Sequence, residues 1–216
     1  WSRSKARSLL CIARSGNSDR NSKRHQYPHL YEIGFVKNAI ILHGTGTKNT
    51  DFWFPWLKQK LEQKGYEVWL PQLPHDDVPN LEEWLPFVLD GGTFGRETIL
   101  IGHSAGAQLV LSVLEKIKGP VRQAIVVAGY GRALRPTPSE PKDTGDFDWE
   151  AIKGKSEELI FINSDNDPWG CTDVQGRILL DHLGGKQIIL KGEGHMGSST
   201  YNQPYKEFPL ILKLVS

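Results

Sequence analysis

The run Thr98-Ile99-Leu100-Ile101 breaks at Gly102-His103-Ser104-Ala105-Gly106, and small and apolar residues at helical spacing follow at once. A row of β-branched residues favours a strand, while Leu109, Val110, Val113, Leu114 and Ile117 recur as on one face of a helix. A strand that must turn into a helix across G-x-S-x-G is tightly constrained. The turn pushes Ser104 out of the top of the sheet, and Gly102 and Gly106 stand where neighbouring backbone leaves no room for a Cβ. The Ala105 amide, opening the helix, then faces any oxyanion that forms at Ser104. The bare five-residue pattern also arises as a plain strand–helix turn in a chain this rich in glycine. A nucleophile at Ser104 therefore requires a histidine and an acid placed in order around it.

From Lys37 onward, apolar runs alternate with helical patterns, which implies βαβ units and a parallel sheet. Strands are expected at 39–42, 67–70, 98–101, 123–127, 159–163 and 187–190. Helices are expected at 54–64, closed by Gly65, at 81–89, capped by Asn80, and at 174–183. Gly119-Pro120 stops the helix after the elbow, and a last helical pattern spans 205–215 despite Pro209. The stretch 129–152 is rich in proline, glycine and charge and follows a strand end. It is expected to form a small cap over the catalytic face, with a surface loop as the alternative.

Ligands of open α/β sheets sit beyond the carboxyl ends of the strands, so polar groups at those ends matter most. The first strand ends in His43-Gly44-Thr45-Gly46, a loop that can aim the Thr45 amide at the same oxyanion as Ala105. The fifth runs into Ser164-Asp165-Asn166-Asp167-Pro168. Asp165, Asp167 and Asp173 compete for the role of the acid that orients an imidazole. Asp167 is preferred because it lies furthest round the turn and Pro168 holds it extended, whereas Asp165 suits a turn-forming role. The sixth strand leads to Gly192-Glu193-Gly194-His195-Met196-Gly197. Of the seven histidines, only His195 both follows the acid and lies beyond a strand end. Ser104, Asp167 and His195 stand in the chain order of an α/β-hydrolase. No phosphate loop, HExxH metal motif or complete dinucleotide fingerprint is present, so neither cofactor nor metal is expected.

Charge divides the chain in two. Residues 1–37 carry eight basic and two acidic groups, whereas the other 179 residues carry 18 basic and 23 acidic. Residues 1–36 are accordingly expected to form a basic leader, disordered or loosely attached, and residues 37–216 one hydrolase domain. No nucleic acid is expected as a partner, because Ser/Arg tracts of this length are more often solvated tails than nucleic-acid-binding arms, and no membrane, because no apolar run approaches the ~20 residues of a span. Two distant cysteines, Cys11 and Cys171, make no disulfide framework or zinc spacing, and a reducing, cytoplasmic location is expected.

At these residues the chain resembles the small α/β-hydrolases of the YdeN type, relatives of the retinoblastoma-binding serine hydrolase. The likeness runs from about Ala39 onward. It is carried by Ile41-Leu42-His43-Gly44-Thr45-Gly46, Phe52-Trp53-Phe54-Pro55-Trp56-Leu57, Leu70-Pro71-Gln72-Leu73-Pro74 and Asn80-Leu81-Glu82-Glu83-Trp84, with the elbow, Phe147-Asp148-Trp149-Glu150, the 164–168 turn and Gly194-His195. The resemblance implies a compact α/β-hydrolase core: a mainly parallel six-stranded sheet with helices on both faces. It carries nucleophile, acid and base to Ser104, Asp167 and His195, and the oxyanion loop to Thr45. The leader falls outside it, and Met196 stands where such proteins often carry a larger apolar residue.

The function expected is a serine hydrolase cleaving small carboxylic esters through an acyl-enzyme, with thioesterase or amidase chemistry open to the same groups. The alternative is an interaction protein that retains the fold without the activity. Trp53, Trp149 and Trp169 adjoin the site loops or the expected cap. They are the candidates to line a short, apolar pocket.

Overall fold

The computed structural model describes residues 37–78, 80–132, 134 and 147–215. The leader therefore lies outside the described residues, as do 133 and 135–146 of the expected cap. Six strands form one sheet: β1 (Asn38–Leu42), β2 (Glu67–Trp69), β3 (Thr98–His103), β4 (Val121–Val127), β5 (Ser156–Ser164) and β6 (Lys186–Leu190). Every pairing is parallel, in the order β2-β1-β3-β4-β5-β6. Growth of the sheet reverses between β1 and β3. The loops leaving these two strands part there and open a crevice at the carboxyl edge.

Side chains alternate across the sheet with a period of two. Ala39, Ile41, Ile99, Ile101, Ile125, Val127, Ile160 and Ile162 face one core, filled by Phe54, Leu57 and Leu61 of α1 (Phe54–Gln63) and Ile211 of α6 (Pro209–Leu214). Ile40, Leu42, Leu100, Ala124, Val126 and Phe161 face the other. That core is closed by α2 (Leu81–Gly91), α3 (Ala105–Lys116), α4 (Trp149–Ile152) and α5 (Asp173–Leu183). Each fully buried Val, Leu, Ile or Phe among them contributes about 1.5–3 kcal/mol, so the sheet is a rigid base for the loops it carries. Ten successive residues of α3, Ala105 to Leu114, are buried, because the helix lies against the sheet and is flanked by α2 and α4. Among the described residues no helix is long and apolar enough to cross a membrane.

The local signals act as their chemistry dictates. Asn80 accepts a hydrogen bond from the Glu82 amide at 3.1 Å, and Gly65 follows α1 at φ +86°. The last helix begins at Pro209 rather than at 205. Proline lacks an N–H and fits the first turn, not the interior. The described end of the expected cap needs a larger correction. A crossover between parallel strands must return to the edge where the next strand starts. Accordingly α4 sits at the amino edge, where the Asp148 amide meets Glu115 near the end of α3 and β5 begins four residues after Ile152. It is remote from Ser104, which starts α3 at the opposite edge.

Candidate active site

Ser104 occupies φ 56°, ψ −121°, a conformation that costs a non-glycine residue about 1–3 kcal/mol and that surrounding structure must impose. Its amide donates to the Val127 carbonyl at 2.9 Å. The glycines leave the space this bend needs. A Cβ on Gly102 would strike the Gly106 carbonyl, and one on Gly106 would strike the carbonyls of Leu42 and His43. A Cβ on Gly44 would come within 2.9 Å of the Ser104 Cβ.

Behind Thr45 the loop is fixed from inside. The Leu73 amide donates to His43 Nε2 at 3.0 Å, which leaves the proton on Nδ1 to donate to the Gly44 carbonyl at 2.9 Å. Burial lowers the His43 pKa and keeps the ring neutral. The Thr47 hydroxyl donates to the same carbonyl at 2.8 Å. Gly44 C=O and Thr45 N–H belong to one trans peptide and point opposite ways, so anchoring the first aims the second. Among the described residues neither the Thr45 nor the Ala105 amide has an acceptor, and both residues border one cavity. The Ala105 amide is also at the positive end of the α3 dipole.

His195 borders that cavity, and Asp167 pairs with it. His195 Nδ1 donates to Asp167 Oδ2 at 2.7 Å, both side chains are buried, and the other carboxylate oxygen accepts the Trp169 amide at 2.8 Å. Asp165 faces elsewhere and accepts the Gly192 amide at 2.8 Å. Asn166 Oδ1 takes the Gly194 amide and Ser164 Oγ takes the Glu193 amide, so three consecutive amides stitch the histidine loop to the acid turn. Ser104 and His195 border the same cavity, and the serine hydroxyl makes no hydrogen bond to the ring among the described residues. Such contacts commonly tighten only when substrate binds.

Three further groups hold His195, and the sequence reading gave none of them this role. The Gln203 side chain accepts the His195 amide at 2.8 Å. Trp53 Nε1 donates to the Met196 carbonyl at 2.9 Å. His103 Nε2 donates to the His195 carbonyl at 2.8 Å. Burial, reinforced by the neighbouring His195, pulls the His103 pKa from 6.5 to about 3, so it remains neutral. Nothing in the aperiodic 197–208 loop signals Gln203. Trp53 and His103 lie beside motifs, but their partner is more than 90 residues away in the chain.

The cavity, about 360 Å³, is bordered on its apolar side by Tyr130, Leu134, Trp169 and Cys171, and elsewhere by Gly197, Ser198 and Thr200. Of the three tryptophans expected to line the pocket, only Trp169 does so. Trp53 is wholly buried behind the wall, its ring packed on Phe54, His103 and Phe208. Trp149 travels with α4 to the far edge and stacks on His182 at 4.5 Å.

The family model described as Serine hydrolase matches residues 39–216. YdeN of Bacillus subtilis (strain 168) is 30% identical over 136 residues, 61% of this chain and 72% of that protein. Serine hydrolase RBBP9 of Rattus norvegicus is 27% identical over 172 residues, 76% of this chain and 90% of that protein. The crystal structure of the Bacillus subtilis ydeN gene product superposes with a TM-score of 0.75 at 24% identity, covering 83% of this chain and 97% of the other. The fold is that of an α/β-hydrolase, and the chain belongs to the serine hydrolase family.

Proposed function

We propose that the protein is a carboxylesterase acting on small esters, with Ser104 as nucleophile, His195 as general base and acid, and Asp167 as the group that orients His195. Ser104 Oγ attacks the ester carbonyl while its proton passes to His195 Nε2. The Asp167 carboxylate stabilises the imidazolium through Nδ1. The Thr45 and Ala105 amides receive the charge on the former carbonyl oxygen. Collapse breaks the ester C–O bond, and His195 returns the proton to the departing alcohol. Water, deprotonated by the same ring, then releases the acid from Ser104.

The buried 2.7 Å bond from His195 to Asp167, with His195 sharing its cavity with a strained serine, carries this reading. A protein that only bound partners would need neither the strain nor the pair. A cavity near the lower limit for ligand sites favours short acyl groups. The test is a p-nitrophenyl ester series of matched solubility. Turnover is expected to peak at about two to six acyl carbons, since a small pocket has room for few methylenes. Ser104→Ala is expected to lose on the order of 10⁶ in kcat with the melting temperature little changed. A peak at long chains would refute the pocket, and a tenth of wild-type activity in Ser104→Ala would refute the nucleophile.

A further inference from the structure

Cys171 lies where the proposed mechanism has no use for a thiol. It is fully buried, borders the cavity, and its backbone carbonyl is pinned by the Asn163 side chain at 2.9 Å. Its sulfur, an Asp167 oxygen and a His195 ring nitrogen all lie within 4.8 Å of one another. Sulfur, imidazole and carboxylate make a borderline-soft donor set that suits zinc and cadmium, not magnesium or calcium. Tetrahedral zinc holds such donors roughly 3.3–3.6 Å apart, given bonds of about 2.0–2.3 Å. The His195 Nδ1–Asp167 Oδ2 pair, 2.7 Å apart, has to open by under about an ångström, and a pair near the 4.8 Å limit has to close by about 1.2–1.5 Å. Cys171 and His195 border the cavity, the side from which water would supply a fourth ligand.

We propose that Asp167, Cys171 and His195 form an inhibitory site for a zinc-like divalent cation. The proposal rests on the esterase reading for its consequence, but not for the binding itself. The cation takes His195 through Nδ1, the atom that now faces Asp167. The Nδ1 proton is replaced by one on Nε2, the Cys171 thiol gives its proton to solvent, and the Asp167 carboxylate becomes a ligand. No electrons are exchanged. With Nε2 protonated, the ring cannot accept the Ser104 proton, so the cation switches off the proton relay without touching the serine. Removing the cation restores the starting tautomer.

Cadmium reports such a site directly through its thiolate charge-transfer band in the ultraviolet. Titration of the full chain is expected to give a one-to-one band in wild type, in Cys11→Ser and in Ser104→Ala, and no band in Cys171→Ala. Zinc affinity in Cys171→Ala, measured calorimetrically, is expected to fall by on the order of a hundredfold, at least the loss seen for outer-shell partners. Stoichiometric zinc is expected to block fluorophosphonate labelling of wild type, and a chelator to restore it. A band that survives Cys171→Ala and vanishes in Cys11→Ser would overturn the site, as would no band in folded wild type. The Ser104→Ala titration gives its answer whether or not the protein is an esterase.

Discussion

Neutralising Asp167 tests the orientation of His195 with a single atom. In Asp167→Asn the amide group cannot choose its pose, because the Trp169 N–H at 2.8 Å requires an oxygen opposite it. The NH2 must then face His195 Nδ1, where the carboxylate now accepts at 2.7 Å. A donor there needs Nδ1 bare, which moves the ring proton to Nε2 and disables the base. In the serine-protease case this tautomer error costs roughly 10⁴ in kcat, about 5 kcal/mol of transition-state stabilisation. Asp165→Asn keeps the oxygen that receives the Gly192 amide, and its kcat is expected to stay within about threefold of wild type, since nothing at His195 changes. The assay is kcat on p-nitrophenyl acetate, with melting temperatures to show that both variants fold. If Asp165→Asn were the more damaging, or Asp167→Asn retained a tenth of wild-type kcat, the assignment of the acid would be wrong.

Two other perturbations reach His195 from behind. Trp53→Phe removes the one N–H on the Met196 carbonyl among the described residues and leaves that carbonyl without it, at a cost of about 1–3 kcal/mol. Denaturant unfolding is expected to show that loss together with a fall in kcat, and unchanged stability would count against the anchor. His103 makes stability depend on pH. Its unfolded form takes a proton below about 6.5 and its folded form only near pH 3, so the unfolded state binds more protons in that window. Stability therefore falls as pH drops, on the order of 3 kcal/mol from this residue between pH 6.5 and 4. His103→Gln, which still offers an N–H to the His195 carbonyl, is expected to flatten the slope, and an identical slope would refute it.

The six strands were legible because a sheet buried on both faces demands apolar runs, and these runs are bounded by glycine and polar turns. Ser104 was legible because its strained bend needs glycine at 102 and 106. Asp167 and His195 could be ordered along the chain because each follows a strand end. The errors came where one residue answers to a distant partner. Trp53 adjoins the loop that leaves β1 in sequence, yet its indole is needed 143 positions away, at Met196. Trp149 follows a strand end, but parallel topology obliges the chain to return to the other edge before β5. Cys171 showed no metal spacing because an Asp167–Cys171 pair within one loop is no ligand signature, and His195 comes from the loop after β6.

The central claim is that Ser104 is a nucleophile activated by His195 and held by Asp167. Incubation with a fluorophosphonate, followed by peptide mapping, addresses it most directly. One adduct is expected per chain, on the peptide that carries Ser104, and none in Ser104→Ala. Labelling is expected to slow steeply in His195→Ala and Asp167→Asn. Absence of an adduct from the folded wild-type protein, or an adduct on another residue, would contradict the account.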